Sequence, residues 1–133
     1  MNKDQLIKDA FEVIKNSYAP YSNYHVAASL LCKDGHIFHG VNVENASFGA
    51  TNCAERSAIF AAISEGYTKE DFQAMAIVSD GFRMGFPCGI CRQVLMELLL
   101  PTTPIYLSNG KEELETTTEE ALPHAFTIED VLR

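Results

Sequence analysis

Apolar residues at Leu6, Ile7, Ala10, Phe11, Ile14 and Tyr18 recur at the spacing of one helical face, and Pro20 follows closely. This pattern predicts an amphipathic helix near residues 3 to 17. From Tyr24 to Cys32 almost every position is apolar or small, as in a strand covered on both faces. Lys33-Asp34-Gly35-His36 then reads as a hairpin turn into a second strand over Ile37 to Val43. Ala54 to Ile63 is apolar around most of a helical circumference and ends at Gly66, so it predicts a buried helix. Ala74 to Val78 has the composition of a core strand, Gly81 to Pro87 that of a loop, and Ile90 to Leu100 that of a second buried helix stopped by Pro101. Short strands near 104 to 108 and 111 to 116 are joined at Ser108-Asn109-Gly110. Thr118-Glu119-Glu120 and Thr127-Ile128-Glu129-Asp130 resemble capped starts of small helices. Strands alternating with helices after residue 43 imply an α/β fold, a central sheet with helices on its faces.

With 133 residues and a hydrophobic fraction of 47%, uninterrupted by repeats or linker-like tracts, the expectation is a single domain over 1–133. The first residues lack the apolar run of a secretory signal, and no stretch approaches the length of a membrane span, so a cytoplasmic location is expected. The formal net charge of -8 disfavours a nucleic-acid partner, because phosphate binding rests on clustered Lys and Arg. It points instead to a small, uncharged substrate.

Four cysteines in a reducing compartment read as metal ligands or buried thiols rather than disulfides. Cys32 lies in an apolar strand and is assigned no role. The other three fall in Cys53-Ala54-Glu55 and Pro87-Cys88-Gly89-Ile90-Cys91. Either cluster alone is permissive, whereas together they offer three thiolates to one metal and set a carboxylate two residues from the first. A structural zinc site closes its tetrahedron with four protein ligands, while a catalytic one keeps a position for water, whose pKa the ion lowers toward neutrality. Three cysteines and a non-ligating Glu55 fit the open arrangement, which is the pattern of zinc deaminases. If both clusters cap core helices, the positive ends of two helix dipoles favour thiolate over thiol. Arg56 and Arg92, each beside a cluster residue, are candidates to balance the negative sulfur. His25, His36, His39 and His124 show no convincing spacing as a fourth ligand.

These residues, with Tyr18-Ala19-Pro20-Tyr21-Ser22, Asn42-Val43-Glu44-Asn45-Ala46, Asn52-Cys53-Ala54-Glu55-Arg56, Ala125-Phe126 and Glu129-Asp130, resemble the small, homotetrameric cytidine deaminases over nearly the whole length. The resemblance implies a three-layer α/β/α sandwich with a five-stranded mixed sheet, one Zn²⁺ per subunit, and active sites shared between subunits. It implies Cys53, Cys88 and Cys91 as zinc ligands, Glu55 as proton shuttle, and Arg56 as hydrogen-bond donor to ligand sulfur. It likewise implies that Asn42 and Glu44 grip the ribose hydroxyls, that the Ala54 N–H meets the pyrimidine 2-oxo group, and that Phe126 reaches across a subunit boundary. Tyr24 stands where the family commonly has Phe against the base, which adds a hydroxyl that needs a partner. Ala27, Phe48, Phe86 and Ile90 also depart from the usual pattern.

The implied reaction is hydrolytic deamination of cytidine and deoxycytidine to the uridines, with release of ammonia and no organic cofactor. The competing readings are a related aminopyrimidine deaminase of the blasticidin type, a polynucleotide-editing deaminase, which would need a basic groove, and a noncatalytic zinc module, which would need a fourth protein ligand.

Overall fold

The computed structural model describes residues 1–132; Arg133, the last residue of the expected domain, lies outside the described residues. Five strands, β1 (Val26–Cys32), β2 (Ile37–Val41), β3 (Phe72–Ser79), β4 (Pro104–Ser108) and β5 (Glu113–Thr117), form one sheet in the order β2-β1-β3-β4-β5. Only β3 and β4 run parallel; the other neighbours are antiparallel, so the sheet is mixed. A parallel pair needs a crossover, which α3 (Gly89–Leu98) supplies.

Side chains on a strand alternate between faces, and that alternation sorts the molecule into three layers. On one face Ala27, Leu31, Ala74, Ala76 and Val78 pack against Leu6, Ile7 and Ala10 of α1 (Lys3–Val13). On the other, Ala28, Leu30, Met75, Ile77, Ile105 and Leu107 meet Ala58, Ile59 and Ala62 of α2 (Ala54–Ser64) and Leu95 and Leu99 at α3. The result is the α/β/α sandwich.

The first helix is shorter than its apolar pattern suggests. It starts on a capping box between Asn2 and Gln5, ends at Val13, and tightens into a 3₁₀ turn at Ile14–Asn16. Beyond it Tyr18 pairs with the chain after β2: its N–H donates to Asn42 O and its carbonyl accepts from Glu44 N–H. β1 begins at Val26, not Tyr24, and β5 at Glu113, because Asn109 Oδ1 accepts from Lys111 and Glu112 N–H and extends the turn. A short helix α4 (Thr118–Ala121) follows β5, and a 3₁₀ turn at Ile128–Asp130 closes a capping box on Thr127.

Neither α2 nor α3 is wholly buried, contrary to expectation. Phe60 and Ile63 of α2 are exposed, and Ile90 of α3 is 63% exposed. The sheet covers one side of each helix, leaving the apolar outer residues of both facing outward.

The start of α2 sits against the sheet because β2 carries Gly40 there. A Cβ at Gly40 would lie 2.3 Å from Ala54 O and 2.5 Å from Ala58 N, so only glycine lets the helix approach this closely. Just upstream, Val43 and Asn52 exchange two backbone hydrogen bonds, and Ser57 Oγ donates to Val41 O. The residue that follows Asn52 is Cys53.

Candidate active site

Cys53 and Cys88 are the N-caps of α2 and α3. Both helices therefore point their positive ends, with unpaired first-turn N–H groups, at the same place. Cys91 lies one turn into α3 and is fully buried. The three sulfurs lie within 4.8 Å of one another and form the only such group of three among the described residues. Two sulfurs bound to one tetrahedral zinc at about 2.3 Å stand about 3.8 Å apart, and Cys53 Sγ and Cys88 Sγ are 3.7 Å apart. The donor set fits zinc.

The electrostatics prepare the cluster for a cation. The hydrogen bond from Cys91, aided by Arg56, draws the Cys53 thiol down to about 5, while Cys91, giving that hydrogen bond and buried, is held far above the ordinary thiol range. A metal bound by all three sulfurs would displace the protons they carry. Arg56 Nη2 donates to Cys53 Sγ at 3.3 Å. Three thiolates around a divalent ion carry one net negative charge, and Arg56 offsets it.

Arg92 does something else. Its Nε donates to Pro87 O at 2.6 Å and its Nη1 to Ala121 O at 3.2 Å, so it fastens the residue before Cys88 to the end of α4. The expectation that it would balance the sulfur charge directly is corrected by these contacts. One step along a helix turns the side chain by about 100°, which carries Arg92 away from the buried side of Cys91.

Glu55 is 3% exposed. Burial, reinforced by the negative charge of Cys53, raises its carboxyl to about 7, the range in which a group can both take and give a proton at neutral pH. It lines a cleft of about 150 Å³ together with Tyr24, Asn42, Cys53, Ala54 and Cys88. Val26, Thr51, Ile77, Gly85 and Phe86 complete its walls, of which Thr51 and Gly85 lie in loops that no periodicity or motif marks.

The remaining residues divide. Asn42 is buried and internally bonded: Oδ1 accepts from Val26 N–H at 2.9 Å and from Ser17 Oγ, while Nδ2 donates to Tyr24 O at 2.8 Å. Glu44 lies in an adjoining depression with Tyr21, Ser22 and Phe48 that shares Thr51 with the cleft. It accepts from the N–H groups of Tyr21 and Ser22 and from the Ser22 hydroxyl, which together hold its carboxyl below the usual range. Phe126 does not line the cleft of its own chain. It is exposed beside Met96, Leu99 and Pro101, with its carbonyl accepting from Gln93 Nε2 at 2.7 Å.

The four histidines stay apart from the sulfurs. His25 bonds Asp80, His39 bonds Asp9, His36 packs on Phe38, and His124 takes a left-handed turn conformation. Cys32 is buried in β1 away from the cluster.

Comparison with known proteins agrees with this geometry. Residues 1–107 match the family described as "Cytidine and deoxycytidylate deaminase zinc-binding region". A protein named cytidine deaminase from Halalkalibacterium halodurans is 48% identical over 132 residues, spanning 98% of each chain. The crystal structure of cytidine deaminase from Burkholderia pseudomallei superposes with a TM-score of 0.90 at 44% identity, covering 95% of this chain and 100% of that one. A blasticidin-S deaminase from Bacillus cereus is more distant, at 30% identity over 131 residues. Capped thiolates, a buried carboxylate in the same cleft and matches of this extent lead to one assignment: the chain belongs to the zinc-binding cytidine and deoxycytidylate deaminase family.

Proposed function

We propose that the chain deaminates cytidine and deoxycytidine by adding water at C4 and expelling ammonia, which yields uridine and deoxyuridine. The observation that carries this reading is Glu55, buried yet facing the same cleft as a cluster with only three protein ligands. Zinc held by Cys53, Cys88 and Cys91, one ion per chain, supplies a water acidic enough to react at neutral pH.

Glu55 does the proton work. It takes a proton from the water and gives it to N3 of the ring as that water adds to C4, then takes the remaining hydroxyl proton and passes it to the amine, so that nitrogen leaves as neutral ammonia. Arg56 keeps Cys53 ionised. The Ala54 N–H is the first of α2 and has no acceptor within the helix, so it is available to the pyrimidine 2-oxo group. Tyr24 forms a wall against the base. Glu44, held as a carboxylate, and Asn42, set in place through β1 and Ser17, grip the ribose hydroxyls.

Phe126, exposed on its own chain, reaches the cleft of a neighbouring copy. A homotetramer accounts for it and for the outward-facing Phe48, Phe60, Ile63 and Ile90, since an extended apolar surface of this kind marks an interface. Residues 1–133 act as one catalytic domain. No described helix is long and apolar enough to cross a membrane, and the four free cysteines suit a cytoplasmic location.

The test is an ultraviolet assay on cytidine, deoxycytidine, cytosine, cytidine monophosphate and blasticidin S, with and without a chelator. Cytidine and deoxycytidine lose their absorbance and the chelator stops it. The nucleotide reacts more slowly, because the chain carries a net charge of -8. Turnover of blasticidin S with the nucleosides untouched would refute the assignment.

A further inference from the structure

The loop between β3 and α3 is fitted around Tyr24. A Cβ at Gly85 would stand 2.1 Å from the Tyr24 hydroxyl and 3.1 Å from Ser79 Oγ, and a Cβ at Gly81 would stand 2.8 Å from Tyr24 Cε1. Neither glycine has a left-handed φ, which this chain reserves for Gly35, Gly66 and Gly110 among its glycines. These two positions therefore need the absence of a side chain, not an unusual backbone. Tyr24 fills the space.

The adjoining residues lock the same two segments together. His25 N–H donates to Asp80 Oδ1 at 2.9 Å, His25 Nδ1 lies 2.5 Å from Asp80 Oδ2, and Asp80 N–H donates to His25 O at 3.2 Å. The loop is thus tied at Asp80 and draped over the aromatic ring at Gly81 and Gly85. It then runs straight into Phe86, Pro87 and Cys88. Tyr24, Gly85, Phe86 and Cys88 all line the cleft that holds Glu55. The hydroxyl that Tyr24 carries in place of the hydrogen of a phenylalanine is lodged against Gly85, and the buried, unpartnered Ser79 Oγ borders the same glycine.

We propose that Tyr24 and Gly85 are a matched pair that sets the depth of the base pocket: the tyrosine hydroxyl occupies the volume that a methyl at position 85 would take. The ring and the loop leading to Cys88 then hold one another in register. This rests on the reading of the cleft as the nucleoside site, and it makes Gly85 a positioning residue that acts on the base through Tyr24. A methyl at position 85 beside Tyr24 drives the ring into the cleft. In a Tyr24→Phe background the same methyl takes the place of the lost hydroxyl and conserves volume.

The experiment compares wild type, Tyr24→Phe, Gly85→Ala and the double variant for KM and kcat with cytidine, zinc content and thermal midpoint. Gly85→Ala raises KM by about tenfold or more, with kcat changed less, since misplacing a binding wall by an ångström is costly. Whatever KM Tyr24→Phe sets, adding Gly85→Ala to it changes KM by less than about threefold, a coupling that independent sites do not show. An unchanged KM in Gly85→Ala, or effects that simply multiply in the double variant, would overturn the pairing. Should Gly85→Ala lose its zinc or unfold, recovery of zinc and thermal midpoint in the double variant supports the pairing, and no recovery overturns it. If wild type leaves cytidine intact, the functional reading fails, while the four thermal midpoints still decide whether the two positions compensate.

Discussion

Replacing Glu55 with Gln leaves about one zinc per chain and lowers kcat for cytidine by about 10³-fold or more, the scale at which positioned proton transfer and metal chemistry act together. The amide keeps the shape of the side chain, and its carbon chain remains packed at the start of α2. What it loses is the ability to carry a proton. Because Glu55 is buried and its carboxyl stands near 7, it can be neutral as the proton is given and charged as it is taken back. KM should move far less than kcat, since the lost interaction belongs to the transition state. Steady-state kinetics with metal analysis on the same sample checks both, and turnover near wild type would remove Glu55 from the mechanism.

Cys91→Ala has the second large effect. It leaves two sulfurs, Cys53 and Cys88, and a vacancy in the fully buried corner of the cluster. Losing an outer hydrogen bond to a zinc ligand costs about 10–100-fold in metal affinity, and losing a ligand costs more. Zinc content after dialysis should fall well below stoichiometric and activity with it. Cys32→Ala serves as the control: that thiol is equally buried, but it packs in β1 and keeps zinc at full occupancy. Equal zinc contents in the two variants would mean that the cluster does not bind through Cys91.

The sheet and its helices were legible because continuous apolar runs such as Tyr24 to Cys32 and Ala74 to Val78 can be buried only as strands covered on both faces. The outer faces of α2 and α3 were misread for a related reason: an all-round apolar helix looks the same whether its far side meets its own core or another surface. Phe60, Ile63 and Ile90 belong to that far side. At the site, the cysteines and Glu55 were visible as a spacing. Arg56 reaches Cys53 Sγ because i and i+3 are neighbours on a helix, which returns its side chain to the cap. Arg92, adjacent to Cys91 in sequence, faces elsewhere for the same geometric reason. Asn42 and Glu44 were visible only through resemblance. Glu44 is held by backbone groups 22 and 23 residues earlier in the chain, and no local pattern reports such a contact. Thr51 and Gly85 left no trace, since loops carry no periodicity and a glycine's reason for being there is the neighbour that would otherwise collide with it.

The central claim is that three thiolates and one carboxylate make a hydrolytic centre out of a single ion. Its most direct test is to prepare the metal-free chain, add zinc in steps from none to one per chain, and measure uridine and ammonia formed from cytidine at each step. A rate that rises in proportion to bound zinc, with one ammonia released per uridine, is the predicted result. Cytidine left unchanged by the fully loaded protein, or consumed equally fast with no zinc bound, would contradict it.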